Sequence, residues 1–369
     1  MAGIKKETSH KNKYEMHNPI KIYLSITITL CMLLSCNEKK AVSKTDFVIA
    51  NGQMPDIVKD KSDHLHLVYG MGDSIMYTSS SDNGISFSSP SLVDVLPDLF
   101  SFATRGTQVS ATDHGVIITA CTSTGNIYSY YKENGNWKKG ARVNDVDTVA
   151  KEGLMALSAS GENAFAVWLD VRGNKRNKIY GAKSNDGGKT WSENKMIYTS
   201  PDTTVCECCK PSVVMKGNHV YVMFRNWLNG NRDLYLIQSS NGGASFGQAQ
   251  KLGTGSWELN GCPMDGGGLA INQNGEVQTV WRRKNTIFAA IPGEPEKEIG
   301  EGRDCALEIV DNKNTYAWTE KEEVVFIKPD GEKKVLGKGG QPVLKVLDKD
   351  HVICVWENEK QIHASVVEL

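Results

Sequence analysis

Three copies of one turn constrain this chain more than any other feature. Ser184-Asn185-Asp186-Gly187-Gly188-Lys189-Thr190-Trp191 reads as a tight β-turn. Asp186 can accept hydrogen bonds from the turn's own amides, the glycines supply backbone freedom, and Trp191 is an apolar anchor at the start of the next strand. The spelling returns upstream at Ser80-Ser81-Asp82-Asn83-Gly84-Ile85-Ser86-Phe87. It returns downstream at Ser239-Ser240-Asn241-Gly242-Gly243-Ala244-Ser245-Phe246, with Asn241 in place of the Asp. Spaced copies of one turn point to a repeat architecture.

The sequence between the turns is almost all β. Short runs of Val, Ile, Tyr, Phe and Trp alternate with Gly, Asn, Asp and Ser clusters, without a long helical period. A recurring strand pair organises the chain. Its first member begins near Pro55, Gly106, Gly153, Pro211, Gly266, Cys305 and Pro342. Its second ends at Val68-Tyr69, Thr119-Ala120, Val167-Trp168, Met223-Phe224, Val280-Trp281, Ala317-Trp318 and Val355-Trp356. The spacing of roughly 40–55 residues is the period of a four-stranded propeller blade. The last unit is one strand short, and Phe47-Val48-Ile49-Ala50 is one strand extra. Pairing them closes the ring and removes exposed sheet edges. The expected fold is an all-β propeller of seven four-stranded blades over 46–369, closed by the N-terminal strand. Six is the alternative, if Cys305–Gly337 is not a full blade.

The leader reads separately. Residues 1–21 are polar and basic, and Ile22–Leu34 is an uncharged, mostly apolar run of thirteen residues. That is short for a membrane span and suits a signal peptide. Leu33-Leu34-Ser35-Cys36 resembles the lipobox of bacterial lipoproteins, which implies cleavage after residue 35 and lipidation of Cys36. The alternative is an ordinary signal peptide with an incidental Cys. Met16 offers an alternative start. Residues 36–45 are then a polar tether. Asn37 after the lipidated position favours the outer membrane of a Gram-negative envelope, with the membrane met through the lipid anchor only.

Residues 1–35 hold five of the 42 basic side chains and two of the 43 acidic ones, leaving 37 against 41. Near balance argues against a nucleic-acid partner, which would want a basic footprint. A single monomeric domain accommodates the rest, since repeats share a continuous core.

The Ser-x-Asp-x-Gly-x-Thr-Trp turn resembles the Asp-box, or BNR repeat, of the sialidase superfamily. The resemblance implies a β-propeller, with these turns on the rim away from the functional mouth, and a glycoside hydrolase or a non-enzymatic relative. Gly52-Gln53-Met54-Pro55-Asp56 stands where the sialidases carry an Arg-Ile-Pro motif, and it contains no Arg.

Propeller topology puts the starts of first strands and the ends of second strands on one face. The mouth set therefore includes Asp56, Arg105, Glu152, Asp265, Asp170, Arg172, Arg225, Arg282 and Arg283. Arg forks suit an anionic glycan, and paired carboxylates suit glycoside cleavage. Asp56 as acid and Glu152 as base are the positional candidates for catalysis. Arg105, Asp170, Arg172, Arg225, Asp265, Arg282 and Arg283 are the candidates for substrate binding. The structural alternative is that these charges fasten neighbouring blades.

Beyond Cys31 and Cys36, seven cysteines remain. Val205-Cys206-Glu207-Cys208-Cys209-Lys210-Pro211 precedes the fourth blade, and Gly261-Cys262-Pro263-Met264-Asp265 precedes the fifth. Three readings stand open: disulfides stapling the two loops, a Cu or Zn thiolate site, or unpaired buried thiols. The first function to test is thus a sialidase-like protein binding or hydrolysing anionic glycans. The alternative is a non-catalytic scaffold whose Cys loops bind a soft metal or a partner protein.

Overall fold

The computed structural model describes residues 1–3 and 43–369. The leader, Cys36 and most of the tether lie outside the described residues. From Lys44 onward the chain forms 28 strands, in seven four-stranded antiparallel sheets. Blade 1 is β2–β5 over Gln53–Val95, blade 2 is β6–β9 over Gln108–Arg142, and blade 3 is β10–β13 over Met155–Tyr198. Blade 4 is β14–β17 over Ser212–Lys251, blade 5 is β18–β21 over Gly267–Glu301, and blade 6 is β22–β25 over Arg303–Lys338. The weak late unit is thus a complete blade, and the count is seven rather than six.

Blade 7 takes three strands from the C-terminus, β26–β28 over Gly340–Glu368, and its fourth from the N-terminus, β1 over Lys44–Asn51. Phe47 pairs with Ala364 and Val48 with His363. Closure places β28 in the sheet interior, so its amides and carbonyls are paired on both sides. β1 opens at Lys44, two residues inside the stretch read as tether.

The core is divided as the ring requires. Each of seven apolar clusters bridges two neighbouring blades. The second strand of a blade lies between both neighbours and is buried on both faces. Leu65–Met71 and Asn163–Asp170 accordingly read as near-continuous apolar runs rather than alternating ones. Fourth strands face solvent, as the mostly exposed Asn136–Arg142 shows.

The three turns connect third and fourth strands and are built alike. Gly84 N, Gly188 N and Gly243 N donate to the Ser80, Ser184 and Ser239 hydroxyls at 2.9, 2.9 and 3.0 Å. Asp82, Asp186 and Asn241 accept from the amides of Ser86, Thr190 and Ser245 at 3.0, 3.0 and 2.9 Å. Each of these glycines has a left-handed φ, between 78° and 84°. Each also lies against the preceding blade: a Cβ would come within 2.9 Å of Ile353, 2.7 Å of Ile117 and 2.1 Å of Phe165, respectively. The turn therefore locks one blade to its neighbour, which is why its glycine cannot carry a side chain.

Candidate functional site

First strands begin where second strands end, as the pairing of Gln53 with Gly70 and of Gly267 with Trp281 shows. The loops before first strands therefore gather at one mouth. First strands also wall a central channel of about 500 Å³.

The two cysteine loops meet there. Cys208 and Cys262 are disulfide-bonded, with Cα atoms 6.1 Å apart, and tie the loop before blade 4 to the loop before blade 5. Cys206 Sγ lies 3.8 Å from Cys208 Sγ and 3.3 Å from Cys209 Sγ. The three ligand atoms fall within 4.8 Å of one another. Cys206 and Cys209 are free thiols, at 0% and 2% exposure. The loop is held from behind, because Cys206 N donates to Arg225 O and Val205 N to Asn177 O.

Two buried guanidiniums face this cluster. Arg232 Nη1 stands 3.0 Å from Cys206 Sγ, with its plane over Trp227. Arg225 is 2% exposed and donates to the carbonyls of Arg232 and Arg282. The hydrogen bond with Cys209, opposed by burial and aided by Arg232 and Arg225, holds the Cys206 thiol down to about 6. Burial, then the Cys206 neighbour, pushes Cys209 well above the usual thiol range. Cys206 is therefore the more acidic thiol of the pair.

Beside the sulfurs lies a carboxylate pair. Asp265 is 1% exposed, and Arg282 holds one of its oxygens. Asp304 is held by Arg303 Nε at 2.8 Å. The other oxygen of each is buried, without a hydrogen-bond partner among the described residues. Burial and the neighbouring Asp265 push Asp304 up to about 6. Deeper in the channel, Asp56 accepts from Val109 N at 2.8 Å and Ile57 N at 3.1 Å. Burial raises its pKa, while the Lys210 charge pulls the other way. Burial in turn lowers Lys210. Burial opposes the Lys345 charge, but its ion pair with Glu308 outweighs this and raises Lys345.

Of the candidates for substrate binding, most already hold protein partners. Arg105 donates to Glu152 O at 2.6 Å and meets the Glu152 carboxylate at 3.6 Å. Glu152, the candidate base, is therefore half of an ion pair at the entrance to blade 3. Asp170 accepts from Trp168 Nε1 at 2.9 Å and from Arg172 Nη2 at 2.9 Å, and Arg172 continues to Asp145 and Asn194. Arg283 pairs with Glu296 at 2.7 Å. Arg225 and Arg282 do come together, on Trp257, at 5.3 and 5.4 Å from its ring centre. Arg282 spends its remaining donors on Lys284 O and Pro263 O. Cys121, Cys305 and Cys354 are free, buried thiols.

Two residues carry more of the site than sequence reasoning assigned them. Arg232 reads as the partner of Asp233, but it faces Cys206, while Asp233 pairs with Lys251 at 3.3 Å. No local pattern announces that choice. Asp304, the second residue of the first strand of blade 6, falls in the mouth set by the same strand-start rule as Asp265, but the sequence gives it no role.

No protein-family model matches the chain, and no curated protein matches it in sequence. Solved structures match it in fold. Virginiamycin B lyase from Staphylococcus aureus superposes with a TM-score of 0.53 at 11% identity, over 89% of this chain and all of the other. A protein of unknown function from Dyadobacter fermentans gives 0.50 at 15% identity, over 89% and 99%. The NanB sialidase from Streptococcus pneumoniae gives 0.46 at 12% identity, over 93% and 72%. At these identities the likeness is one of fold: the chain is a seven-bladed β-propeller.

Proposed function

We propose that this propeller is a binding protein whose mouth-face cysteines hold a soft metal ion, Cu(I) in the first instance. The observation that carries the reading is the convergence of the Cys206, Cys208 and Cys209 sulfurs within 4.8 Å, with Cys262 bonded to Cys208. Soft thiolates select Cu(I) over hard cations. With the disulfide intact, Cys206 and Cys209 are the available pair, too few for the tetrahedral shell Zn(II) takes. Two thiolates around Cu(I) leave one excess negative charge. Arg232 and Arg225 stand where they would balance it.

The test is anaerobic titration of the metal-free protein with Cu(I) against a chromogenic chelator. One equivalent is expected to bind, with loss in a Cys206→Ser, Cys209→Ser double variant. Failure of the wild type to compete with the chelator overturns the reading. Zinc bound only after reduction would shift it to a four-sulfur site.

A second reading rests on the mouth cleft of about 780 Å³ between blades 5, 6 and 7, where half-exposed Arg303 reaches solvent beside Asp304. An anionic glycan is the ligand class an exposed guanidinium there would take, and the raised Asp304 carboxyl is a candidate acid beside Asp265. A glycan array and a panel of α-sialosides test binding and hydrolysis separately. Silence in both removes this reading. Envelope anchoring through Cys36 belongs to the same proposal, and mass spectrometry of the mature N-terminus tests it.

A further inference from the structure

We propose that Cys206, Cys209, Cys208 and Cys262 form a thiol–disulfide relay that passes reducing equivalents from a buried dithiol to the surface. The metal reading uses the Cys206 and Cys209 sulfurs as ligands and leaves the Cys208–Cys262 disulfide intact. The relay uses all four sulfurs as an exchange series, needs no metal, and stands or falls independently.

Cys206 and Cys209 are spaced as Cys-x-x-Cys, a spacing used by dithiol oxidoreductases. Both are buried, so no external disulfide can reach them directly. Their one disulfide neighbour among the described residues is internal: Cys208 Sγ, 3.8 Å from Cys206 Sγ. The far end of that disulfide, Cys262, lies on an exposed loop. The sulfurs thus run from a closed interior to solvent in two short steps. The Arg232 guanidinium stands 3.0 Å from the first of them.

The chemistry balances without an added oxidant. The Cys206 thiolate attacks Cys208 Sγ, forming Cys206–Cys208 and releasing the Cys262 thiolate into water. Cys209, 3.3 Å from Cys206, then gives up its proton and attacks Cys206 Sγ. This forms Cys206–Cys209 and releases Cys208. The net change is an isomerisation, with the disulfide moved inward and the dithiol outward. The Cys209 proton goes to one of the new thiols, and the other takes from solvent the proton that Cys206 had released there. The exposed Cys262 thiolate can then attack an accessible disulfide on another molecule. Cys208 resolves the mixed disulfide, restoring Cys208–Cys262 and releasing the partner as a dithiol. The substrate class is therefore a solvent-exposed disulfide, reduced once per chain until an external dithiol reduces Cys208–Cys262 and the exchange, run backward, returns Cys206–Cys209 to the dithiol.

The test uses the whole folded protein, with chelator present and no added thiol. A maleimide is supplied under native conditions, the sample is quenched in acid, and peptides are mapped by mass spectrometry. The expected result is maleimide on Cys262, loss of the cross-link between the Cys208 and Cys262 peptides, and an intrapeptide Cys206–Cys209 disulfide. In Cys206→Ser, labelling of Cys262 should slow at least about tenfold. Retention of Cys208–Cys262 with unlabelled Cys262 in the wild type overturns the relay. So does labelling of Cys206→Ser at the wild-type rate. If that variant does not fold, the appearance or absence of Cys206–Cys209 in the wild type decides alone. Copper binding is not read in this experiment, so failure of the metal reading leaves its outcome unchanged.

Discussion

Arg232 Nη1 lies 3.0 Å from Cys206 Sγ, and both groups are buried. A guanidinium so placed favours the thiolate over the thiol, because the ion pair forms where water cannot screen it. Arg232→Met should therefore raise the Cys206 titration from about 6 by on the order of one pH unit. Thiolate absorbance of the metal-free protein across pH 4–9 measures it. An unchanged midpoint would mean that Cys209 alone sets the thiolate.

The propeller's packing makes a second prediction at Gly243. Its φ is 84°, and an added Cβ would lie 2.1 Å from Phe165. Gly243→Ala should destabilise by about 2–4 kcal/mol, combining left-handed strain with overpacking. Gly275 has a similar φ of 88° but open space around it. Gly275→Ala should cost about 1 kcal/mol, the backbone part alone. Denaturant midpoints of the two variants separate packing from strain, and equal losses would refute the blade-locking role of the turn.

Asp304 gives a pH dependence with a definite sign. Its folded pKa, about 6, lies above the ordinary carboxyl value of 3.8. The fold therefore prefers the protonated form. The stability this contributes is fully present below pH 3.8 and is lost as pH rises through about 6. Asp304→Asn mimics the protonated state. It should raise the melting temperature relative to wild type at pH 8, by about 1–2 kcal/mol in stability, and the gain should vanish below pH 4. A gain independent of pH would point to packing instead.

Ring closure depends on β1. Deleting Lys44–Asn51 would leave β28 as an unpaired edge with a complete row of free amides and carbonyls. The shortened protein should self-associate, as read by light scattering, and should melt earlier than the full chain. A monomer of unchanged stability would show that blade 7 holds with three strands.

The architecture was legible for a plain reason. A blade is written locally: period-two strands, a turn with Asp186 or its equivalent, and an aromatic that packs inward. Repetition then counts the blades, and the odd strand at Phe47 with the missing one after Glu368 discloses the closure. The site was less legible, because it lies between blades. Asp170 and Arg172 look like a binding pair in sequence, yet they bond to each other and to Trp168, Asp145 and Asn194. Arg232 looks like a partner for its neighbour Asp233 and is not.

The sequence by itself determined the repeat, its register and the face on which the cysteine loops must gather. Hydrophobic periodicity and turn chemistry act within a few residues and need no knowledge of the rest of the chain. Tertiary structure alone decided that Cys208 bonds Cys262 while Cys206 and Cys209 stay free beneath Arg232 and Arg225. Which sulfur meets which partner depends on how two loops, 54 residues apart at their cysteines, pack at one blade interface. The hydrogen bond between the two free thiols, with Arg232 and Arg225 beside it, then makes Cys206 the more acidic of the pair.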